Sequence, residues 1–243
     1  MDPTAWKRFT KARDGFRNQV DAWLARAPGL AKAQAELARA LGEDDYSVQT
    51  PIVYNRALDD LSPDSSVKWI IVADNPGKRE QEADKQRYLI GQSGKTTENF
   101  FRRELGVDIR TEAVIVNKTP VHTPKTAQLK LLLRNHPDLG PVLEESQRWM
   151  AALVPELQET LNAPVWVMGL SELGPRGVFA PWTQALTAAY RDRHDLFGSL
   201  YLYKHFSMGA FATDLARGRA DGESLSSILR RIGQGNRRRV FGM

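Results

Sequence analysis

Trp69-Ile70-Ile71-Val72-Ala73-Asp74-Asn75-Pro76-Gly77 is the stretch that decides the fold. Five apolar residues break at once into a polar turn carrying proline and glycine. A short, wholly apolar run bounded in this way predicts a strand buried on both faces. Its polar end places Asp74 and Asn75 at the carboxyl edge of a sheet, where open α/β folds take their ligands. Working outward, three more runs follow the same plan. Residues 113–116 give way to Asn117-Lys118-Thr119-Pro120, residues 165–168 to Gly169-Leu170-Ser171, and residues 200–203, after Lys204, to His205-Phe206-Ser207. Four strand ends converge on one candidate site.

Helical patterns fill the intervals. Residues 96–105, 141–161, 181–190 and 223–232 are periodic, and their alternation with the strands predicts a parallel sheet with helices on both faces. Ahead of the first strand, Trp6, Phe9, Phe16, Val20, Trp23 and Leu24 recur at helical spacing. Pro28-Gly29 separates them from a second, alanine-rich helix over 30–41. The aromatic stripe is expected to be a packing face and not a cofactor site. Residues 48–63 form an irregular connector. The expected architecture is three-layer α/β/α with a central four-stranded parallel sheet, in three parts. These are a helical N-terminal extension and connector over 1–61, the α/β domain over 62–232, and a mobile basic tail over 233–243.

With 243 residues, 42% hydrophobic and 26% charged, the chain can bury one good core. The formal charge of +5 is compatible with polyanionic partners, and equally with solvated helix faces. The basic excess includes Arg102-Arg103, Arg230-Arg231 and Arg237-Arg238-Arg239. Zero cysteines exclude disulfides, thiolate nucleophiles and iron–sulfur ligation. His122, His136, His194 and His205 lack the i, i+4 spacing of a helical metal motif, so neither metal nor cofactor is expected. No leader-like or membrane-spanning run is evident, and a cytoplasmic monomer is expected.

Gly91-Gln92-Ser93-Gly94-Lys95-Thr96 ends like a phosphate-binding P-loop, but Leu89 stands where the first glycine belongs. The segment also lies some fifteen residues beyond the strand end, out of the context that motif requires.

Taken in order, the strand-end motifs over 67–212 resemble the uracil-DNA glycosylase superfamily. Asp74-Asn75-Pro76-Gly77 resembles the first active-site motif of the mismatch-directed and single-strand-selective branches, with Ala73 where that motif begins with glycine. Tyr88-Leu89-Ile90-Gly91-Gln92-Ser93-Gly94-Lys95 is similar to the Pro-Phe-Val-Gly-x-Ala-Gly-Lys segment of the iron–sulfur branch, and Leu89 takes the place of the base-stacking phenylalanine. Residues 114–120 resemble the strand whose terminal asparagine reads uracil. Lys204-His205-Phe206-Ser207-Met208 resembles the second active-site motif, with Phe206 replacing proline. The absence of cysteine sets the chain apart from the iron–sulfur branches.

The resemblance implies a fold, an activity and a site. The activity is excision of uracil or a related damaged base from DNA. The base is flipped from the stack and its glycosidic bond cut through an oxocarbenium-like sugar and an anionic leaving base. Asn75 would position the water, with Asp74 as the alternative, and His205 would donate to the uracil O2. Asn117 would read the N3–H and O4 edge with one amide, a pairing that cytosine cannot make. Asn117 also reads as a strand-terminating turn residue, His205 as a structural histidine and Asp74 as a turn cap. Gly77, Gly91, Ser93 and Gly94 would bring backbone amides to phosphate and Lys95 would add charge, while ordinary turns and surface solvation account for the same residues. Tyr88 or Phe100 would make up for the missing aromatic at Leu89. Ser207 would bind substrate within the second motif, and Met208 or Phe211 would wedge into the duplex, while both read equally as core residues of the following helix. A non-catalytic module for damaged or single-stranded DNA, and a magnesium-dependent nucleotide hydrolase using Lys95, are the competing classes.

Overall fold

The computed structural model describes residues 1–43, 46–219 and 222–242, with Met208 described by its backbone alone. Strands β1 (Trp69–Ala73), β2 (Ala113–Asn117), β3 (Val165–Met168) and β4 (Leu200–Tyr203) form one all-parallel sheet in the order β2-β1-β3-β4. They are the four expected runs, with β2 longer by one residue so that it ends on Asn117. Their residues are buried almost throughout, which is why they read as unbroken apolar runs.

Nine helices lie among the described residues: α1 (Pro3–Arg26), α2 (Leu30–Ala40), α3 (Gln92–Leu105), α4 (Gln128–Asn135), α5 (Gly140–Leu161), α6 (Ala180–Tyr190), α7 (His194–Gly198), α8 (Ala210–Gly218) and α9 (Leu225–Phe241). α4 and α7 have no counterpart in the periodicity because they are too short to repeat it. None is long and apolar enough to cross a membrane.

The sheet divides its helices by face. Trp69, Ile71, Trp166 and Tyr201 share one face by register. On it Phe101 of α3 stands edge-on to Trp69, with centroids 5.8 Å apart, and tilts against Trp166 at 5.0 Å. On the same face α9 comes so close that a Cβ on Gly233 would lie 2.7 Å from the Tyr203 hydroxyl, so only glycine fits. α5 and α6 pack on one another, and α1 packs on α5, to make the opposite layer of the three-layer α/β/α fold.

The N-terminal helices belong to the same hydrophobic core as the sheet. Asp2 caps α1 by accepting the amides of Thr4 and Ala5 at 2.8 Å, and Pro3 fits the first turn, where no amide is needed. The aromatic stripe then meets Trp149 of α5, which stacks on Phe16 with centroids 5.6 Å apart and stands edge-on to Trp23 at 6.0 Å.

The expected mobile tail is, over 233–241, the second half of α9. Glycine and arginine hide the periodicity there, but they are what the packing requires. Asn236 Nδ2 donates to Leu202 O at 2.9 Å, and the Arg237 guanidinium donates to Phe197 O and Leu200 O while lying 4.3 Å from the Phe197 ring centroid. Arg238 is exposed. Arg237→Gln is therefore expected to destabilise the protein by about 1–3 kcal/mol, whereas Arg238→Gln stays within about 0.5 kcal/mol, as measured by urea unfolding.

Candidate active site

Apolar strands deliver polar side chains only where they end, and here the ends of β1, β2 and β3 are joined by one lysine. Lys118 follows β2 directly, and its side chain is wholly buried. Its ammonium donates to Asp74 Oδ1 after β1, to Met168 O at the end of β3, and to Gly169 O at 3.3 Å. The rings of Phe179 and Trp182 close over it, with centroids at 5.1 and 5.8 Å. Burial pulls the Lys118 pKa down and Asp74 holds it up. Gly169 cannot carry a side chain, since φ is +83° and a Cβ would lie 2.6 Å from Asp74 Oδ1.

Asp74 and Asn75 are adjacent but do different things. The Asp74 carboxylate is 16% exposed and also lies 3.5 Å from Thr126 Oγ1. The Asn75 amide is turned into the 123–126 loop: its Nδ2 donates to Thr123 Oγ1 at 2.9 Å and its Oδ1 accepts from Thr126 Oγ1 at 2.9 Å.

His205, beyond β4, has a defined tautomer. The Ser207 amide donates to Nδ1 at 3.1 Å, and an N–H can only donate, so Nδ1 is unprotonated and the neutral ring carries its hydrogen on Nε2. The hydroxyls of Ser207 and Ser93 lie 2.8 and 3.5 Å from the same nitrogen. Burial lowers the His205 pKa, Asp74 partly raises it, and Lys118 lowers it again. Phe206, where the resembled motif has proline, restrains this loop by packing. Its ring stacks on Phe211 with centroids 4.1 Å apart and tilts against Phe100 at 5.5 Å. Phe211 is thereby a core residue and not a wedge; the Met208 side chain lies outside the described residues.

Asn117 is 1% exposed, and neither its Oδ1 nor its Nδ2 has a hydrogen-bond partner. An unsatisfied buried amide costs about 1–3 kcal/mol, so a group of this kind calls for an explanation. Beside His205 a groove of about 430 Å³ opens between Gln92, Ser93 and Thr96 on one side and Phe206 and Ser207 on the other.

The 77–91 loop is organised around a residue that sequence reasoning missed. The Glu80 carboxyl is buried and accepts the amides of Gly77, at 3.1 Å, and of Leu89 and Ile90. Burial raises its pKa to about 7 against these bonds and the charge of Arg110. Leu89 is buried with φ +54°, and Arg110 donates to its carbonyl. Gly94 has to be glycine, because a Cβ would fall 1.5 Å from Leu89 O. α3 starts at Gln92, with Gly91 as its N-cap, so Gly94 and Lys95 lie in its first turn and no P-loop cradle forms. Lys95 is exposed. Tyr88 is buried with its hydroxyl donating to Val53 O at 2.6 Å, and it faces the connector, not His205.

His122 carries a similar structural load. Its Nδ1 donates to Pro76 O at 2.8 Å, its Nε2 faces the Tyr46 hydroxyl, and burial lowers its pKa to about 4. Among the described residues no group of His, Cys, Asp and Glu could hold a metal ion. No family model matches the chain, and no curated protein matches it significantly.

Two expected outcomes follow from these buried charges. Lys118→Met should cost about 3 kcal/mol by stranding Asp74, and a double variant with Asp74→Asn should recover at least about 1 kcal/mol of the summed losses in urea unfolding. For Glu80 the folded pKa lies above the unfolded value of 4.5, so the folded state binds the extra proton and stability falls as pH rises from about 4.5 to 7. Relative to Glu80→Gln, the wild type should lose about 3 kcal/mol across that window and then level off.

Proposed function

We propose that this protein is a DNA glycosylase of the uracil-DNA glycosylase superfamily, which excises uracil or a related deaminated base and so initiates base-excision repair. The observation that carries the reading is the unclaimed amide of Asn117, at the same strand-end edge as a neutral imidazole with its hydrogen on Nε2. On this reading the buried amide lacks partners because its partner is the flipped base. Its oxygen accepts the N3–H of uracil and its NH₂ donates to O4; cytosine offers the opposite groups.

The chemistry is a hydrolysis. Water attacks C1′ of the sugar as the C1′–N1 bond breaks, and the electron pair leaves with the base. The charge that gathers on O2 meets the Nε2–H of His205, a contact worth about 3 kcal/mol in a preorganised site. The proton of the water goes to Asp74. Asn75, the residue first favoured for the water, is committed to Thr123 and Thr126 and in this reading holds that loop. The groove beside His205 takes the sugar and its flanking phosphates against Ser93 and Ser207, and Lys95, exposed in the first turn of α3, adds positive charge nearby on this reading.

A non-catalytic module that recognises damaged DNA is the second reading, and the Asn75 amide favours it, because the residue expected to position the water is already bonded to Thr123 and Thr126. Release of free uracil from a uracil-containing oligonucleotide in EDTA separates the two. The wild type is expected to release uracil, and His205→Ala and Asp74→Asn to be slower by about a hundredfold, with a smaller loss for Asn75→Ala. Tight binding without release would favour the recognition module, and undiminished release by His205→Ala would remove the site proposed here.

A further inference from the structure

The whole positive excess of the chain sits on one helix. The sequence has 34 Lys and Arg against 29 Asp and Glu, and α9 carries five arginines with no acidic residue, so the remaining residues balance. Tertiary structure divides these five. Arg237 donates to backbone carbonyls, Arg239 reaches Asn236 Oδ1, and Arg231 is held by Glu223 and by Gly218 O at 2.6 Å. Arg230 and Arg238 are exposed, and among the described residues no carboxylate pairs with either.

These two share a helix face with Ser226, Ser227, Arg231 and Gln234, and the six line a groove of about 300 Å³. At a rise of 1.5 Å per residue, Arg230 and Arg238 stand about 12 Å apart along the axis. The opposite face is committed to the fold through Ile228, Leu229, Gly233 and Asn236. The exposed face therefore presents guanidinium, hydroxyl and amide groups in a line, with no large apolar side chain to enter a lipid surface. A line of donors with uncommitted positive charge matches a phosphodiester backbone. The orientation is also defined. The Tyr203 hydroxyl at the carboxyl end of β4 donates to Leu229 O, and Arg237 reaches Leu200 O at the amino end, so α9 runs antiparallel to β4. The arginine face begins beside the sheet edge that carries His205 and leads away from it.

We propose that the Arg230–Arg238 face of α9 is a binding site for the phosphodiester backbone of nucleic acid, separate from the base-reading site. That the nucleic acid is DNA rests on the function proposed above; the charge and geometry of the face do not.

The test is fluorescence anisotropy with a uracil-free oligonucleotide, as DNA and as RNA of the same sequence, between about 50 and 200 mM salt. The wild type is expected to bind DNA, and the Arg230→Gln/Arg238→Gln variant to bind it about tenfold more weakly, with the slope of log affinity against log salt reduced by about two. Arg39→Gln/Arg191→Gln removes the same charge from exposed positions elsewhere and should leave the slope unchanged. Equal losses in the two pairs would reduce the effect to net charge and overturn the proposal. No binding by the wild type, or tighter binding to vesicles rich in anionic lipid than to either nucleic acid, would overturn it too. RNA bound in place of DNA, with the same loss of slope, would keep the face and remove the DNA assignment. Uracil release is read separately, so failure of the glycosylase reading leaves this outcome intact.

Discussion

An ammonium group removed from water has to find its acceptors in the protein, and Lys118 finds them beyond β1 and at the end of β3 while projecting from the end of β2. The desolvation of a buried lysine amounts to several kcal/mol, and only a full set of acceptors with an opposite charge among them offsets it. That requirement constrains everything around it. Asp74 has to stand where it does, Gly169 has to lack a side chain, and Phe179 and Trp182 have to close over the charge. The strand ends are thus tied together by polar bonds at the edge where parallel sheets otherwise leave their loops independent.

The same charge reaches the candidate chemistry. His205 sits in the field of both Lys118 and Asp74, and burial together with the lysine outweighs the carboxylate, so the imidazole is neutral. Its tautomer is settled by one backbone amide, that of Ser207, and that amide is placed by Phe206 packing into the aromatic cluster. A proline would have restrained this turn covalently; here packing does so, and a change at Phe100 or Phe211 should be felt at His205. Across the site, the Glu80 carboxyl gathers the amides of Gly77, Leu89 and Ile90, so the loop between β1 and α3 closes on a group whose charge changes near neutral pH. Two buried ionisable side chains, Lys118 and Glu80, thereby hold the loops that would meet a substrate.

Much of this was legible beforehand, and for identifiable reasons. The four strands could be read because a strand covered on both faces has to be apolar throughout, and their ends because polar residues appear as soon as burial stops. Asp74, Asn75, Asn117 and His205 all stand at or just beyond that transition, and the resemblance supplies their expected roles. Lys118 lies in the same transition but carries no mark of its role, since a lysine after a strand ordinarily points to water; only the positions of Met168 and Gly169 reveal that it points inward. Glu80 gave no local signal, being one acidic residue in the polar stretch Lys78-Arg79-Glu80-Gln81-Glu82. The tail hides its helix for a related reason: the Gly233, Asn236 and Arg237 contacts that make α9 a helix lie on β4 and α7, distant in sequence.

The amino-acid sequence by itself determined the α/β class, the four parallel strands and the edge at which polar groups gather, because each follows from periodicity and from where hydrophobicity stops. Tertiary structure alone decided which polar groups pair and which stay unclaimed. Asn75 and Asn117 are the same residue type at neighbouring strand ends, yet one is saturated by two threonines and the other has no partner. Hydrogen bonding depends on a few tenths of an ångström between segments far apart in the chain, and no local pattern carries that distance.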